Sequence, residues 1–175
     1  MATPNNILIL NSLDAKRQRI IEYETLLASL EETEKNNLKF PTSEDNILFE
    51  QALIKLNESD YKSAINLFSS FEKSAAKSVF ARISKYWIAR CFFHLGDLNT
   101  AIAYFKNIVN EGKSPKYEEA LMLIARSLER LSDLIGAYSY YERLLKERAD
   151  SEYADLAIRR QIQLRSKLQI CERNN

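Results

Sequence analysis

The sequence predicts an all-α protein: a solenoid of three helical hairpins, with one extra helix before them and a capping helix after them. Two observations lead to this prediction. The chain of 175 residues contains only three glycines and three prolines, as a mostly helical chain requires. A pattern of small, acidic and aromatic residues also recurs at a nearly constant spacing, which indicates that one structural unit is repeated.

The repeated unit is clearest in the stretch HLGDLNTAIAYF, residues 94–105. Gly96 can take the left-handed backbone conformation that commonly closes a helix. Asp97 can accept hydrogen bonds from the free amides at the start of the next helix. Ala101 and Phe105 then fall on one apolar stripe of that helix. The stretch therefore predicts a helix, a tight turn and a second helix.

The same pattern occurs once upstream and once downstream, and the aspartates are separated by 37 and 36 residues. An alanine where two helices approach closely lets their backbones come together, and a ring fills the space beyond that contact. Stacked copies of such a hairpin bury a core that no single copy could bury. The repeating positions are Asp60, Asp97 and Asp133; Ala64, Ala101 and Ala137; Ala52, Ala89 and Ala125; and the rings of Phe68, Phe105 and Tyr141.

A hairpin with these small residues and an aromatic four residues after the second resembles the tetratricopeptide repeat (TPR) family. The resemblance covers roughly residues 44–148, with a period two or three residues longer than the family's usual spacing of about 34. The longer spacing, with Ser-Pro in the connecting stretch NEGKSPKY, is similar to TPR proteins of the bacterial cell envelope, of the Tol–Pal-associated and outer-membrane-assembly kinds. The resemblance implies three TPR-like repeats and a place in envelope assembly.

The predicted elements follow this order along the chain. Residues 1–40 form an N-terminal segment with one amphipathic helix over 14–37, which either packs back on the first repeat or self-associates. The TPR-like domain spans 44–171, and its dense Arg, Gln and Lys near the end predict a capping helix with a solvated outer face. Its repeats are about 44–77, 78–113 and 114–150, with helices over 44–57, 60–73, 79–95, 97–111, 115–131 and 133–147 and the capping helix over 152–170.

Composition and motifs argue against several classes of function. Lys and Arg number 25 against 24 Asp and Glu, so the net charge of +1 gives no general attraction to nucleic acid or to an anionic membrane. No apolar run approaches the ~18 residues that a membrane helix needs. The chain carries no phosphate-binding glycine loop, no G-x-S-x-G and no H-E-x-x-H. We therefore predict no membrane insertion, no nucleic-acid binding, no cofactor and no catalysis.

The histidine and the cysteines point to no reactive or metal site. The one histidine, His94, has no nucleophile at a recognisable spacing, and no Cys-x-x-Cys occurs. Cys91 is predicted to be a small buried residue, with no disulfide to Cys171 across the solenoid. As it stands, the sequence predicts a cytoplasmic protein, or a periplasmic or envelope-associated one if a native leader has been removed.

The TPR resemblance also implies where a partner would bind. In that family the first helices of successive repeats line a concave groove that receives an extended peptide or a helix. Transferred by position, the groove residues in this chain are Phe49, Leu53, Tyr86, Arg90, Phe93, His94, Met122, Arg126 and Arg130.

These residues predict a non-catalytic module that binds another protein. The partner segment would carry an apolar anchor for the aromatic and aliphatic members of the set, and an acidic group for Arg90 and Arg126. In the alternative interpretation, these arginines solvate the inner face or pair with Glu119 and Glu129. A second alternative is an assembly protein that self-associates through its N-terminal helix, and we expect a monomer or a weak homo-oligomer.

Overall fold

The computed structural model describes residues 43–74, 79–112, 114 and 116–173, together with the single positions 14, 17 and 21. This part of the chain contains helices and connecting turns and no strand, so the all-α prediction is confirmed. The predicted helix over 14–37 lies outside the described residues, except that positions 14, 17 and 21 are helical. The other helices are α1 (Ser43–Asn57), α2 (Tyr61–Ser74), α3 (Val79–Leu95), α4 (Leu98–Glu111), α5 (Tyr117–Arg130), α6 (Leu134–Glu147) and α7 (Ala154–Arg173).

Each of these seven helices packs mainly against the helices that precede and follow it in the chain. Helices α1 and α2, α3 and α4, and α5 and α6 form three successive hairpins, and α7 packs on α6. Such an arrangement builds a continuous core out of units that cannot bury their apolar faces alone. The predicted solenoid of stacked hairpins is therefore confirmed.

The turn inside each hairpin has the predicted chemistry. Gly96 has a φ of +84°, and the Asp97 carboxylate accepts a hydrogen bond from the Thr100 amide at 3.2 Å. The aspartates of the other two turns accept from a backbone amide three residues later in the same way. Where the second repeat has Gly96, the first and third repeats have Ser59 and Ser132, with φ values of 60° and 64°. The left-handed turn position therefore recurs, although its residue type changes.

The repeating small and aromatic positions form the core of the hairpins. Each of their side chains has no exposed surface, as expected for residues at contacts between helices. The nine positions are Ala52, Ala64, Phe68, Ala89, Ala101, Phe105, Ala125, Ala137 and Tyr141.

The last helix, α7, has one buried side and one exposed side. Ala157 and Leu164 are buried, whereas Ile158 and Ile162 are exposed on the surface among charged residues. The outer face of the capping helix is thus less uniformly polar than the sequence predicts. In the described part of the chain, no helix combines the length and the apolar character that crossing a membrane requires.

Candidate binding groove

The five apolar side chains of the predicted groove belong to the hydrophobic core. The Phe49 ring packs edge-on against Phe68 at 5.4 Å and Phe71 at 5.1 Å, both on α2. A partner cannot grip these side chains as an open apolar surface in this arrangement, so their contact with an apolar anchor stays a prediction. None of the five exposes more than 8% of its surface: Phe49, Leu53, Tyr86, Phe93 and Met122.

The basic members of the groove lie together around two buried rings. Arg126 and Arg130, on α5, hold their guanidinium carbons 5.5 and 5.0 Å from the centre of the Phe93 ring on α3. Arg130 also donates a hydrogen bond to the Phe93 carbonyl at 3.0 Å. Arg90, one turn earlier on α3, lies 4.9 Å from the Trp87 ring. We call Arg90, Arg126 and Arg130 the arginine cluster.

The remaining groove residue, His94, lies close enough to the arginine cluster to be affected by its positive charge. Its ring is exposed on one side and stacks on Tyr61 of α2 at 4.9 Å, almost parallel. Partial burial lowers the pKa of His94 below its usual value of 6.5, and the positive charges of the arginine cluster lower it further. His94 is therefore electrostatically coupled to all three arginines.

The acidic residues near the cluster are paired with other cations. Glu119 lies 3.8 Å from the Lys116 ammonium. Glu129 lies 2.8 Å from the Arg160 guanidinium on α7 and accepts a hydrogen bond from the Tyr141 hydroxyl at 2.6 Å. Within the described ranges, no carboxylate lies within 4.0 Å of a guanidinium nitrogen of the arginine cluster. In this part of the chain the arginines therefore do not form ion pairs with Glu119 or Glu129, whereas the other form of that alternative, in which they solvate the inner face, stays a prediction.

Two buried polar atoms lie beside Arg90. The Tyr86 hydroxyl and the Trp87 indole nitrogen have no hydrogen-bond partner among the described residues. Burial raises the pKa of the Tyr86 hydroxyl; the nearby Glu119 carboxylate raises it further, whereas Arg90 acts in the opposite direction. The hydroxyl is therefore protonated at neutral pH, and both atoms are hydrogen-bond donors.

A cavity of about 590 Å³ lies against the same helices. It brings N-terminal positions together with the inner residues of the first two hairpins. Asp14, Arg17 and Ile21 are each helical, and they follow one another at spacings of three and four residues. The cavity is lined by Asp14, Arg17, Ile21, Leu53, Leu56, Asn57, Trp87 and Arg90.

Sequence reasoning missed two parts of this site. Trp87 was not among the predicted groove positions, although it directly follows Tyr86 and is the only tryptophan. The Glu129–Arg160 pair joins residues 31 positions apart on different helices, and the repeat pattern carries no signal for it. In the described ranges, no three His, Cys, Asp or Glu side chains come together as a possible metal site.

Consecutive hairpins with alanines at their closest contacts and a ring beyond them define the class of protein: an α-helical repeat solenoid. Within it, residues 83–111, most of α3 and all of α4, match the family model described as tetratricopeptide repeat. Repeats of this family generally mediate protein–protein interactions, and such folds are typically non-catalytic. None of the curated proteins matches the sequence, so no relative supports the resemblance to envelope proteins.

Proposed function

We propose that this chain is a non-catalytic interaction module whose arginine cluster binds an acidic segment of a partner protein. The observation that carries the proposal is the charge arrangement on α3 and α5. Three guanidinium groups share one neighbourhood with no carboxylate within 4.0 Å in the described part of the chain, while Glu119 and Glu129 pair with other cations. A partner carboxylate would supply the missing counter-charge.

The rings beneath the cluster make such a site physically reasonable. Like charges repel, but the faces of Phe93 and Trp87 attract the guanidinium groups through their negative quadrupoles. Stacking on a ring leaves the donors at the edge of a guanidinium group available to a ligand, and a free fork can bind a carboxylate through two hydrogen bonds. Arg130 already uses one donor on the Phe93 carbonyl. The cluster is thus held in place by contacts that leave its charge unneutralised.

The partner segment is expected to be extended or helical and to combine at least one acidic side chain with an apolar one. The apolar contact is expected at Leu56, which is partly exposed and lines the cavity beside Arg90. A role in bacterial envelope assembly rests on the spacing resemblance alone, so it is not part of this proposal.

The proposal is tested by an unbiased selection of peptide ligands. Random 12-residue peptides displayed on phage are selected against the full chain, and we expect enrichment of Asp and Glu beside an aliphatic or aromatic residue. The best peptide is then titrated by calorimetry. Arg90→Ala and Arg126→Ala should each weaken binding about tenfold or more, because hydrogen bonds to charged groups contribute roughly 1.5–3 kcal/mol.

Arg159→Ala is the matched control, since Arg159 is an exposed arginine on α7 that does not belong to the arginine cluster. It should leave the affinity unchanged. Selected peptides without acidic enrichment would contradict the proposal. So would equal binding by the wild type and the two cluster variants, provided that circular dichroism shows the same helicity in all of them.

A further inference from the structure

We propose that two copies of this chain associate through α7, with their last helices paired in an antiparallel, two-fold symmetric arrangement. The surface consists of Asp155, Ile158, Ile162 and Arg165, and we call it the α7 face. This inference goes beyond the proposed function, because the α7 face shares no residue with the arginine cluster on α3 and α5.

One side of α7 packs on the helix before it, as the corresponding side of α5 does. Helix α5 packs against α4 and α6, whereas α7 packs mainly against α6. Ala157 and Leu164 lie 37 residues after Ala120 and Ser127, and all four residues are buried. These positions are therefore the ones that face the preceding helix.

A second side of α7 is exposed where α5 is buried. Ile158 and Ile162 lie 37 residues after Leu121 and Ala125. Leu121 and Ala125 have no exposed surface, whereas Ile158 and Ile162 expose 45% and 63% of theirs. Helix α5 is followed by α6, which packs on it, but no described helix follows α7. The α7 face is therefore the side on which a next helix would pack.

The residue at position 162 indicates what kind of helix fits there. The equivalent position of all three hairpins is a buried alanine, at Ala52, Ala89 and Ala125. Alanine lets the second helix of a hairpin come close, whereas isoleucine holds a neighbouring helix further away. The α7 face is thus not shaped for the close contact inside a hairpin. A wider contact between two separate chains suits it better.

The order of side chains along the α7 face is self-complementary. Its four residues follow one another at spacings of three, four and three, as on the contact line of two paired helices. When two copies run antiparallel with Ile158 opposite Ile162, Asp155 of each copy lies opposite Arg165 of the other. A parallel pair would instead bring like charges together. The sequence of the face therefore favours a second, antiparallel copy as its partner.

The charged ends of the α7 face are available for this pairing. Asp155 and Arg165 are exposed, and among the described residues neither has an opposite charge within 4.0 Å. Exposed ion pairs contribute little each, and one pair of helices buries less than the ~1,200 Å² below which complexes are typically weak. We therefore expect a reversible dimer whose population rises with concentration.

Sedimentation of the full chain over a range of concentrations tests the surface. The wild type should show a monomer–dimer equilibrium. Ile162→Asp places a carboxylate in the middle of the apolar contact and should weaken the dimer on the order of tenfold or more. Ile47→Asp is the matched control, because Ile47 is an isoleucine of α1 that is 54% exposed, and it should dimerise as the wild type does. Circular dichroism checks that helicity is the same in all three chains.

Charge exchange tests the antiparallel arrangement. Asp155→Arg brings cations together at both ends of the pair, and Arg165→Asp brings carboxylates together there. Each change alone should weaken the dimer on the order of tenfold. An equimolar mixture of the two variants should dimerise about as well as the wild type, because opposite charges then meet at both ends. A chain carrying both changes should also recover its dimer.

Three results would overturn the inference. The first is a wild-type chain that sediments as a monomer at about 500 μM, where even a submillimolar dissociation constant would give dimer. The second is an Ile162→Asp chain that dimerises as the wild type does, which would place the contact elsewhere. The third is a mixture of Asp155→Arg and Arg165→Asp chains that associates no better than either variant alone.

Discussion

At the scale of single residues, the turn position shows how one fold element tolerates different side chains. Ser59, Gly96 and Ser132 all have a positive φ, which glycine adopts freely and other residues adopt at a cost of about 1–2 kcal/mol. A Cβ atom added at Gly96 would meet nothing closer than 3.9 Å, so conformation and not space sets the cost of a larger residue there.

Exchanging these turn residues should therefore change stability in opposite directions. Gly96→Ala should destabilise the chain by about 1 kcal/mol, because alanine is strained at this φ. Ser132→Gly should stabilise it by a few tenths to about 1 kcal/mol, since relief of strain exceeds the entropy that glycine adds to the unfolded state. Urea unfolding measures both. A lower midpoint for Ser132→Gly would contradict the strain argument.

His94 reports the charge of its surroundings. Besides the arginine cluster, the group packed against it from α2 is the uncharged ring of Tyr61. The folded-state pKa lies below the unfolded value, so the folded chain binds fewer protons near that pH. The corresponding stability is present above about pH 6.5 and is lost as the pH falls through the folded pKa.

An NMR titration of the single imidazole should give a pKa below 6.5 in the wild type and a higher one in Arg126→Ala. Saturation with an acidic peptide that binds the cluster should also raise it, because a carboxylate offsets the positive field. Arg159→Ala should leave the value unchanged. A wild-type pKa above about 6.5, or no response to Arg126→Ala, would show that the cluster does not act on His94.

At the scale of helices, the alanine positions determine how closely two helices can pack. Ala101 has no exposed surface, whereas Ala103, two residues later on α4, is exposed. Ala101→Leu should destabilise the chain by about 1–3 kcal/mol, because the larger side chain forces the packed helices apart. Ala103→Leu makes the same chemical change outside the contact and should have little effect. Thermal unfolding of the two variants compares them directly, and equal melting temperatures would contradict the packing argument.

Helix limits were predictable because the residues at the turns have local chemistry. Asp97 and Asp133 each accept a backbone amide at the start of a helix, and Gly96 closes the preceding one. Every predicted helix end from residue 44 onwards lies within three residues of the observed end. These interactions join residues that are close in sequence, so they can be recognised in the sequence without knowledge of the tertiary structure.

At the scale of the whole molecule, the sequence predicted the stacking of the hairpins but only part of the site. Position within a repeat identifies which helix face a residue occupies, and this placed Arg90 and Arg126 in one neighbourhood. It does not determine how deeply a side chain is buried. Phe49 and Tyr86 were predicted to line the groove, but their side chains are buried in the core. The pairing of Glu129 depends on how α7 lies across α5, which no local pattern encodes.

The neighbour-to-neighbour packing also has a mechanical consequence. Each helix contacts mainly its neighbours in the chain. Small rotations between successive hairpins therefore add up along the stack. Arg90 lies on the second hairpin, and Arg126 and Arg130 lie on the third. A ligand that binds all three arginines at once would fix the angle between the second and third hairpins. The angle between the second and third hairpins would then depend on whether that ligand is bound.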